Sequence, residues 1–226
     1  MKAVIFDFNG TLFLDTDKHT AAWRRMLVEK IGYNPTEDEF KKHVIGSGSD
    51  MILKHFVGND ISAEDIRRYA EMKERLYIEE CLADRPSLKL IDGAEALFDR
   101  LSELGVPFLI ATGSGKVNID FYFEYLGLRK WFSEKNIVYE NHTFAGKPAP
   151  DIYLIASSKI GVDISECVVF EDSLSGLMSA KAAGAGKIVI LSDGKNAENF
   201  KNIDGVSLVI PNYCKTEEII KFCDLG

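Results

Sequence analysis

Five short apolar runs recur along the chain, and the stretches between them carry helical periodicity. The runs are Ala3 to Phe8, Pro107 to Ala111, Cys167 to Phe170, Lys187 to Leu191 and, more weakly, Val206 to Ile210. None alternates apolar with polar residues, as a strand with one wet face would. A strand buried on both faces reads this way, and such strands belong to parallel sheets. Between them, Ala94, Leu97, Phe98, Leu101 and Leu104 recur at helical spacing, with Asp92 and Glu95 placed as N-cap and N3. Leu174, Leu177, Met178 and Ala182 do the same before Gly184, and Lys215 to Gly226 reads as a short closing helix. Strands alternating with helices predict an α/β fold, a Rossmann-like parallel sheet with helices on both faces.

One segment breaks the alternation. Residues 16–86 contain no convincing strand. Trp23, Met26, Leu27 and Ile31 form one apolar helix face, Thr36 and Glu39 a capping box, and Ser62 the cap of a long helix running towards Cys81. Gly32 and the Gly46-Ser47-Gly48-Ser49 stretch mark loops. The chain therefore divides into a core, 1–15 with 87–226, and an inserted α-helical cap domain, 16–86.

Composition excludes several classes. Hydrophobic residues make up 46% and charged residues 27%, ordinary globular usage rather than disorder or a fibrous repeat. With 27 Lys and Arg against 35 Asp and Glu, the net charge of -8 argues against a nucleic-acid partner. No apolar run approaches the roughly 18 residues of a membrane span. The apolar start, Met1 to Phe6, is too short for a secretory leader and runs into Asp7. Cys81, Cys167, Cys214 and Cys223 show neither a paired nor a metal-binding spacing, and His43, His55 and His142 share none. A cytoplasmic monomer without membrane association is the expectation.

The chemistry should lie at the carboxyl ends of the strands, where open parallel sheets bind ligands. Four loops there carry suitable groups: Asp7-Phe8-Asn9-Gly10-Thr11, Thr112-Gly113-Ser114-Gly115, Gly146-Lys147-Pro148 and Glu171-Asp172-Ser173. An aspartate after one strand is a turn residue more often than a nucleophile, and a lone lysine is usually solvated. A carboxylate, a hydroxyl, a lysine and an acidic pair in this order are a different matter. They bring a carboxylate nucleophile candidate, a hydroxyl, a positive charge and a second acidic pair to one end of the sheet, a combination chance does not readily supply.

These motifs, running through Phe6-Asp7-Phe8-Asn9-Gly10-Thr11-Leu12, Ala111-Thr112-Gly113, Gly146-Lys147-Pro148-Ala149-Pro150-Asp151 and Phe170-Glu171-Asp172-Ser173, resemble the haloacid dehalogenase-like hydrolase superfamily. The resemblance is to its capped branch, with beta-phosphoglucomutase and phosphoglycolate phosphatase relatives, and spans nearly the whole chain. It implies a Mg2+-dependent phosphatase acting on a small phosphorylated metabolite through an aspartyl-phosphate on Asp7. It places Mg2+ on Asp7, the Asn9 carbonyl and Asp172, with Glu171 a ligand or an outer partner. Thr112 and the Gly113 N–H would hold phosphate oxygens, and Lys147 would neutralise them. The cap would close over the core and exclude water.

Two departures matter. The family's first motif is Asp-x-Asp, and its second aspartate serves as general acid and base. Here that position is Asn9, an amide that cannot shuttle a proton. A catalytically impaired phosphate-binding protein is therefore the alternative, and nearby Asp15 and His19 are candidate substitutes for the missing acid. The mutase relatives also carry a cap arginine where this chain has Ser49, which disfavours a third reading, a sugar-phosphate mutase. Trp23 and His19 resemble mutase cap positions, and Lys73 resembles a cap phosphate contact, set against a plainer reading as a solvated helix face. The Phe121, Tyr122, Phe123, Tyr125 and Trp131 cluster reads as packing.

Overall fold

The computed structural model describes residues 1–44, 47–141 and 143–225. Gly46 and His142, read above as a loop glycine and a surface histidine, lie outside the described residues.

Strand β1 (Ala3–Phe6) opens the chain. A helical segment follows, made of α1 (Thr16–Arg25) continuing into a π-helical turn over Met26–Ile31, α2 (Glu37–His43), α3 (Ser49–Phe56) and α4 (Ala63–Ala83). The chain then runs through α5 (Ala94–Glu103), β2 (Phe108–Thr112), α6 (Lys116–Tyr125), β3 (Ile137–Tyr139) and α7 (Asp151–Ile160). It ends with β4 (Cys167–Glu171), α8 (Leu174–Ala183), β5 (Lys187–Leu191), α9 (Gly194–Lys201), β6 (Leu208–Ile210) and α10 (Thr216–Phe222). Two compact units result: Met1–Leu14 with Lys89–Gly226, and Asp15–Leu88.

The larger unit holds one six-stranded parallel sheet in the order β3-β2-β1-β4-β5-β6. The middles of its strands are apolar because both faces are covered, and polar residues such as Thr112, Glu171 and Lys187 stand only at strand ends. Ala3 and Ile5 face a cluster with Leu109, Val169, Tyr153 and Leu177. Phe6 points the other way, edge-on to Phe98 at 5.3 Å and stacked on Phe170 at 5.0 Å. Strand order reverses between β1 and β4, which opens the crevice at their carboxyl ends.

Several expectations needed correction. Among the described residues there are six strands rather than five: β3 has three residues and pairs with β2 at the sheet edge, too little for a periodic signal. The N-cap of α5 is Gly93 (φ 84°), not Asp92. A Cβ on Gly93 would lie 2.3 Å from the Tyr213 backbone, so packing sets the helix start. On α8, Leu174 and Met178 are half exposed, while Gly176, Leu177, Ala180 and Ala183 face inward. The expected β1 stops two residues early, because the chain turns at Asp7 into a tight loop.

The smaller unit is helical among its described residues. Thr36 accepts a hydrogen bond from the Glu39 N–H at 3.2 Å and Ser62 from the Asp65 N–H at 3.0 Å, so both residues cap their helices, while the Glu39 carboxylate of the expected box accepts from the Tyr33 hydroxyl at 2.9 Å. Helix α3 begins inside the stretch read as loop.

Candidate active site

The Asp7 N–H extends the β1–β4 ladder by donating to the Phe170 carbonyl at 2.9 Å, which sets Asp7 beside the end of β4. The chain then folds back sharply. Asn9 bridges to Phe13, the Leu12 N–H donates to the Phe8 carbonyl at 2.7 Å, and Gly10 takes φ +74°. A Cβ on Gly10 would lie 2.0 Å from Asp172 Oδ2, so only glycine lets this loop meet that carboxylate.

Asp7, Glu171 and Asp172 offer oxygens that all lie within 4.8 Å of one another. The Lys147 Nζ joins them, donating to Asp7 Oδ1 at 2.6 Å and to Glu171 Oε1. The Thr11 hydroxyl lies 3.2 Å from Asp7 Oδ2 and 3.4 Å from Asp172 Oδ1. Burial pushes the Asp7 carboxyl up to about 7, against the pull of Lys147. Burial also opposes the charge of Glu171, but Lys147 and hydrogen bonds from Tyr153 and Ser173 override it and hold this carboxyl below its usual range. Desolvation likewise works against the Lys147 ammonium, and the Asp7 and Glu171 carboxylates hold it well above its ordinary value. Three carboxylates around one lysine leave an excess of negative charge. The donors are all oxygen and held close, so they fit a hard divalent cation such as Mg2+.

The two oxygens of Glu171 are crowded. Oε1 accepts from Lys147 and from the Tyr153 hydroxyl at 2.6 Å. Oε2 accepts from the Asp172 N–H at 3.0 Å, the Ser173 N–H at 3.2 Å and the Ser173 hydroxyl at 3.1 Å. A Cβ on Gly176 would lie 1.8 Å from the Glu171 carboxyl carbon, so the first turn of α8 packs directly on this group.

Asn9 meets the β2 loop. Its Oδ1 accepts from the Ser114 hydroxyl at 2.7 Å and the Thr112 hydroxyl at 3.3 Å, and its Nδ2 donates to the Tyr122 hydroxyl at 2.7 Å. Thr112 is fully buried, while Gly113 is exposed with open space around it. In the helical unit, Lys73 is buried rather than on a solvated face. Its Nζ lies 2.6 Å from His19 Nδ1 and 3.0 Å from Glu74 Oε1. His19 stacks on Tyr77 at 4.0 Å, and the Tyr77 hydroxyl donates to buried Asp15 at 2.5 Å.

Sequence reasoning missed Tyr153, Gly176 and the polar role of Tyr122. Tyr122 does pack as expected, stacked on Phe8 at 4.2 Å. The available signal was a tyrosine within an apolar helix face: a buried hydroxyl requires a partner.

The model of the haloacid dehalogenase-like hydrolase family matches residues 1–184. The chain is 30% identical over 184 residues to the fructose-1-phosphate phosphatase YqaB of Escherichia coli, covering 80% of this chain and 92% of that one. It is 30% identical over 203 residues to a phosphorylated carbohydrates phosphatase of Thermotoga maritima, covering 86% and 89%. Among solved structures, a haloacid dehalogenase hydrolase from Entamoeba histolytica superimposes with a TM-score of 0.87 at 39% identity, covering 99% of this chain and 100% of that one.

Proposed function

The chain belongs to the haloacid dehalogenase-like hydrolases, and we propose that within this family it is a Mg2+-dependent phosphatase of small phosphorylated sugars or similar metabolites. The observation that carries this reading is the single lysine, Lys147, bonded to both Asp7 and Glu171 beside Asp172. A nucleophilic carboxylate is thereby held in place next to fixed positive charge, as phosphoryl transfer requires.

Asp7 attacks the phosphorus; a bond forms from its oxygen to phosphorus as the bond to the leaving oxygen breaks, and that oxygen takes its proton from solvent water. Water then cleaves the aspartyl-phosphate and releases inorganic phosphate, so one difficult step becomes two easier ones. Thr112, the Gly113 N–H and Lys147 hold the phosphoryl oxygens. A Mg2+ ion held by Asp7, the Asn9 backbone carbonyl and Asp172, with Glu171 beside them, would supply further positive charge for those oxygens. The sugar-phosphate class is supported by the two relatives named as phosphatases of phosphorylated carbohydrates. The protein acts as a cytoplasmic monomer.

A second reading rests on Asn9. Its amide bonds Ser114, Thr112 and Tyr122 and carries no transferable proton. Turnover of alkyl esters would then be slow, and phosphate binding would outlast catalysis.

The test is turnover of an aryl phosphate and of a panel of sugar phosphates, with and without Mg2+. Asp7→Ala should abolish turnover, a loss on the order of 10^4-fold or more. Asn9→Asp should raise turnover of alkyl esters about 100-fold or more, and of the aryl ester much less, since its leaving group needs little protonation. Turnover that survives Asp7→Ala would sink the phosphatase reading. A parent chain slowed by Asn9→Asp would sink the account of position 9.

A further inference from the structure

Glu171 has more donors than a carboxylate ordinarily accommodates. It receives five hydrogen bonds from Lys147, Tyr153, the Asp172 and Ser173 N–H groups and the Ser173 hydroxyl. A carboxylate offers about four lone-pair sites, so none is left over for an ion. The group is fixed from behind as well, by the close approach of Gly176. Among these donors Tyr153 stands apart. It lies on the first turn of α7, is fully buried, and donates at 2.6 Å to the same Oε1 that receives Lys147. The Lys147 Nζ also stands 5.1 Å over the Tyr153 ring. The tyrosine thus holds the acceptor and walls in the donor of one charge-assisted hydrogen bond.

We propose that Tyr153 is a positioning residue that fixes the Lys147 ammonium at the phosphoryl-transfer site through Glu171, and that Glu171 serves as this anchor rather than as a direct metal ligand. The inference rests on the phosphatase reading and names which residue sets the geometry of its lysine. Without the tyrosine hydroxyl, Glu171 Oε1 gains freedom to turn, and Lys147 is no longer held at one point relative to Asp7.

Tyr153→Phe keeps the ring and removes only the hydroxyl. Loss of one hydrogen bond to a charged group predicts a fall in kcat, and in orthovanadate affinity by calorimetry, of about tenfold each. The Mn2+ dissociation constant, read by electron paramagnetic resonance, should stay within about twofold, since the hydroxyl bonds a group that is off the ion. In a Lys147→Ala background the same change should cost no further rate, because a residue acting through Lys147 has nothing left to act on. A merely structural role would give additive losses.

A ligand-free readout separates the two readings. The Lys147 Nζ protons, followed by nitrogen-15 NMR, should exchange at least about tenfold faster in Tyr153→Phe than in the parent. If the parent neither turns over phosphate esters nor binds orthovanadate, yet this exchange still accelerates, the phosphatase reading falls and the positioning role stands. If the parent turns over and Tyr153→Phe matches it in rate, vanadate affinity and exchange, the positioning role falls. Mn2+ affinity dropping in step with kcat would also overturn it, by placing Glu171 on the ion. Should Tyr153→Phe fold poorly, Glu171→Gln serves instead: vanadate affinity about tenfold lower with Mn2+ affinity unchanged supports the anchor, and lost Mn2+ affinity refutes it.

Discussion

Among the described residues each compact unit buries a polar cluster, and the two clusters contain nearly the same residue types. In the sheet unit a tyrosine, Tyr153, donates to a buried glutamate beside a buried lysine, Lys147. In the helical unit Tyr77 donates to buried Asp15, close to buried Lys73. The difference lies in how charge is balanced. Lys147 sits directly on two carboxylates with a third alongside, whereas Lys73 meets His19 Nδ1 and a single glutamate. Only the first cluster, among the described residues, gathers three carboxylates whose oxygens lie within 4.8 Å of one another. Burial of charge alone therefore does not distinguish a reaction centre. An uncompensated excess on converging oxygens does, because it favours an added cation and a phosphoryl group over a closed ion pair.

The sharpest way to break this contrast is to remove each lysine in turn. Lys147→Met should lower phosphatase turnover by about 10^2- to 10^3-fold and destabilise the metal-free protein by about 3 kcal/mol, because it strands buried carboxylates. Millimolar Mg2+ should recover much of that stability, since the ion binds the folded state. Lys73→Met should cost less, about 1–2 kcal/mol, and gain nothing from Mg2+. Urea titrations with and without the ion read both. Equal rescue of the two variants, or rescue of neither, would erase the distinction.

Glycines give a second, smaller contrast. Gly176→Ala drives a methyl into Glu171 and should destabilise by about 3 kcal/mol. Gly32→Ala in the helical unit, at φ +78° but with nothing within 4 Å, should cost only the backbone strain, about 1 kcal/mol. Comparable losses at the two sites would mean that α8 yields easily and Glu171 is not tightly held.

A last contrast is one of pH. The Asp7 carboxyl binds its proton more tightly in the folded chain, near 7, than at its ordinary value of 3.8. The stability it contributes is therefore fully present below 3.8 and is lost as pH rises towards 7. In chelator, the Tm of the parent relative to Asp7→Asn should fall by several degrees as pH rises through that window, each kcal/mol being worth about 2–4 °C on a chain of this size. Relative stability that rises with pH instead would mean that Asp7 is held ionised by Lys147 alone.

Much of the architecture was open to reading along the chain. Apolar runs without alternation gave strands buried on both faces, and Thr36 and Ser62 announced helix starts, because these signals depend on neighbours within a few residues. The four loops at the strand ends were visible for the same reason. The short edge strand β3, the start of α5 at Gly93 and the inward face of α8 were not, since each is decided by packing against segments far along the chain.

The amino-acid order by itself determined the parallel α/β core, the helical insertion and the residue types available for chemistry: Asp7, Asn9, Thr112, Lys147, Glu171 and Asp172. Tertiary structure alone decided what those residues do to one another. Lys147 reaches Asp7 across 140 residues, and Tyr153, unremarked in the sequence, closes on Glu171. Lys73, plausible as a solvated side chain, is buried against His19. Hydrogen-bond partners and desolvation are properties of the order in which strands assemble, and strand order depends on the packing of the whole sheet rather than on local periodicity.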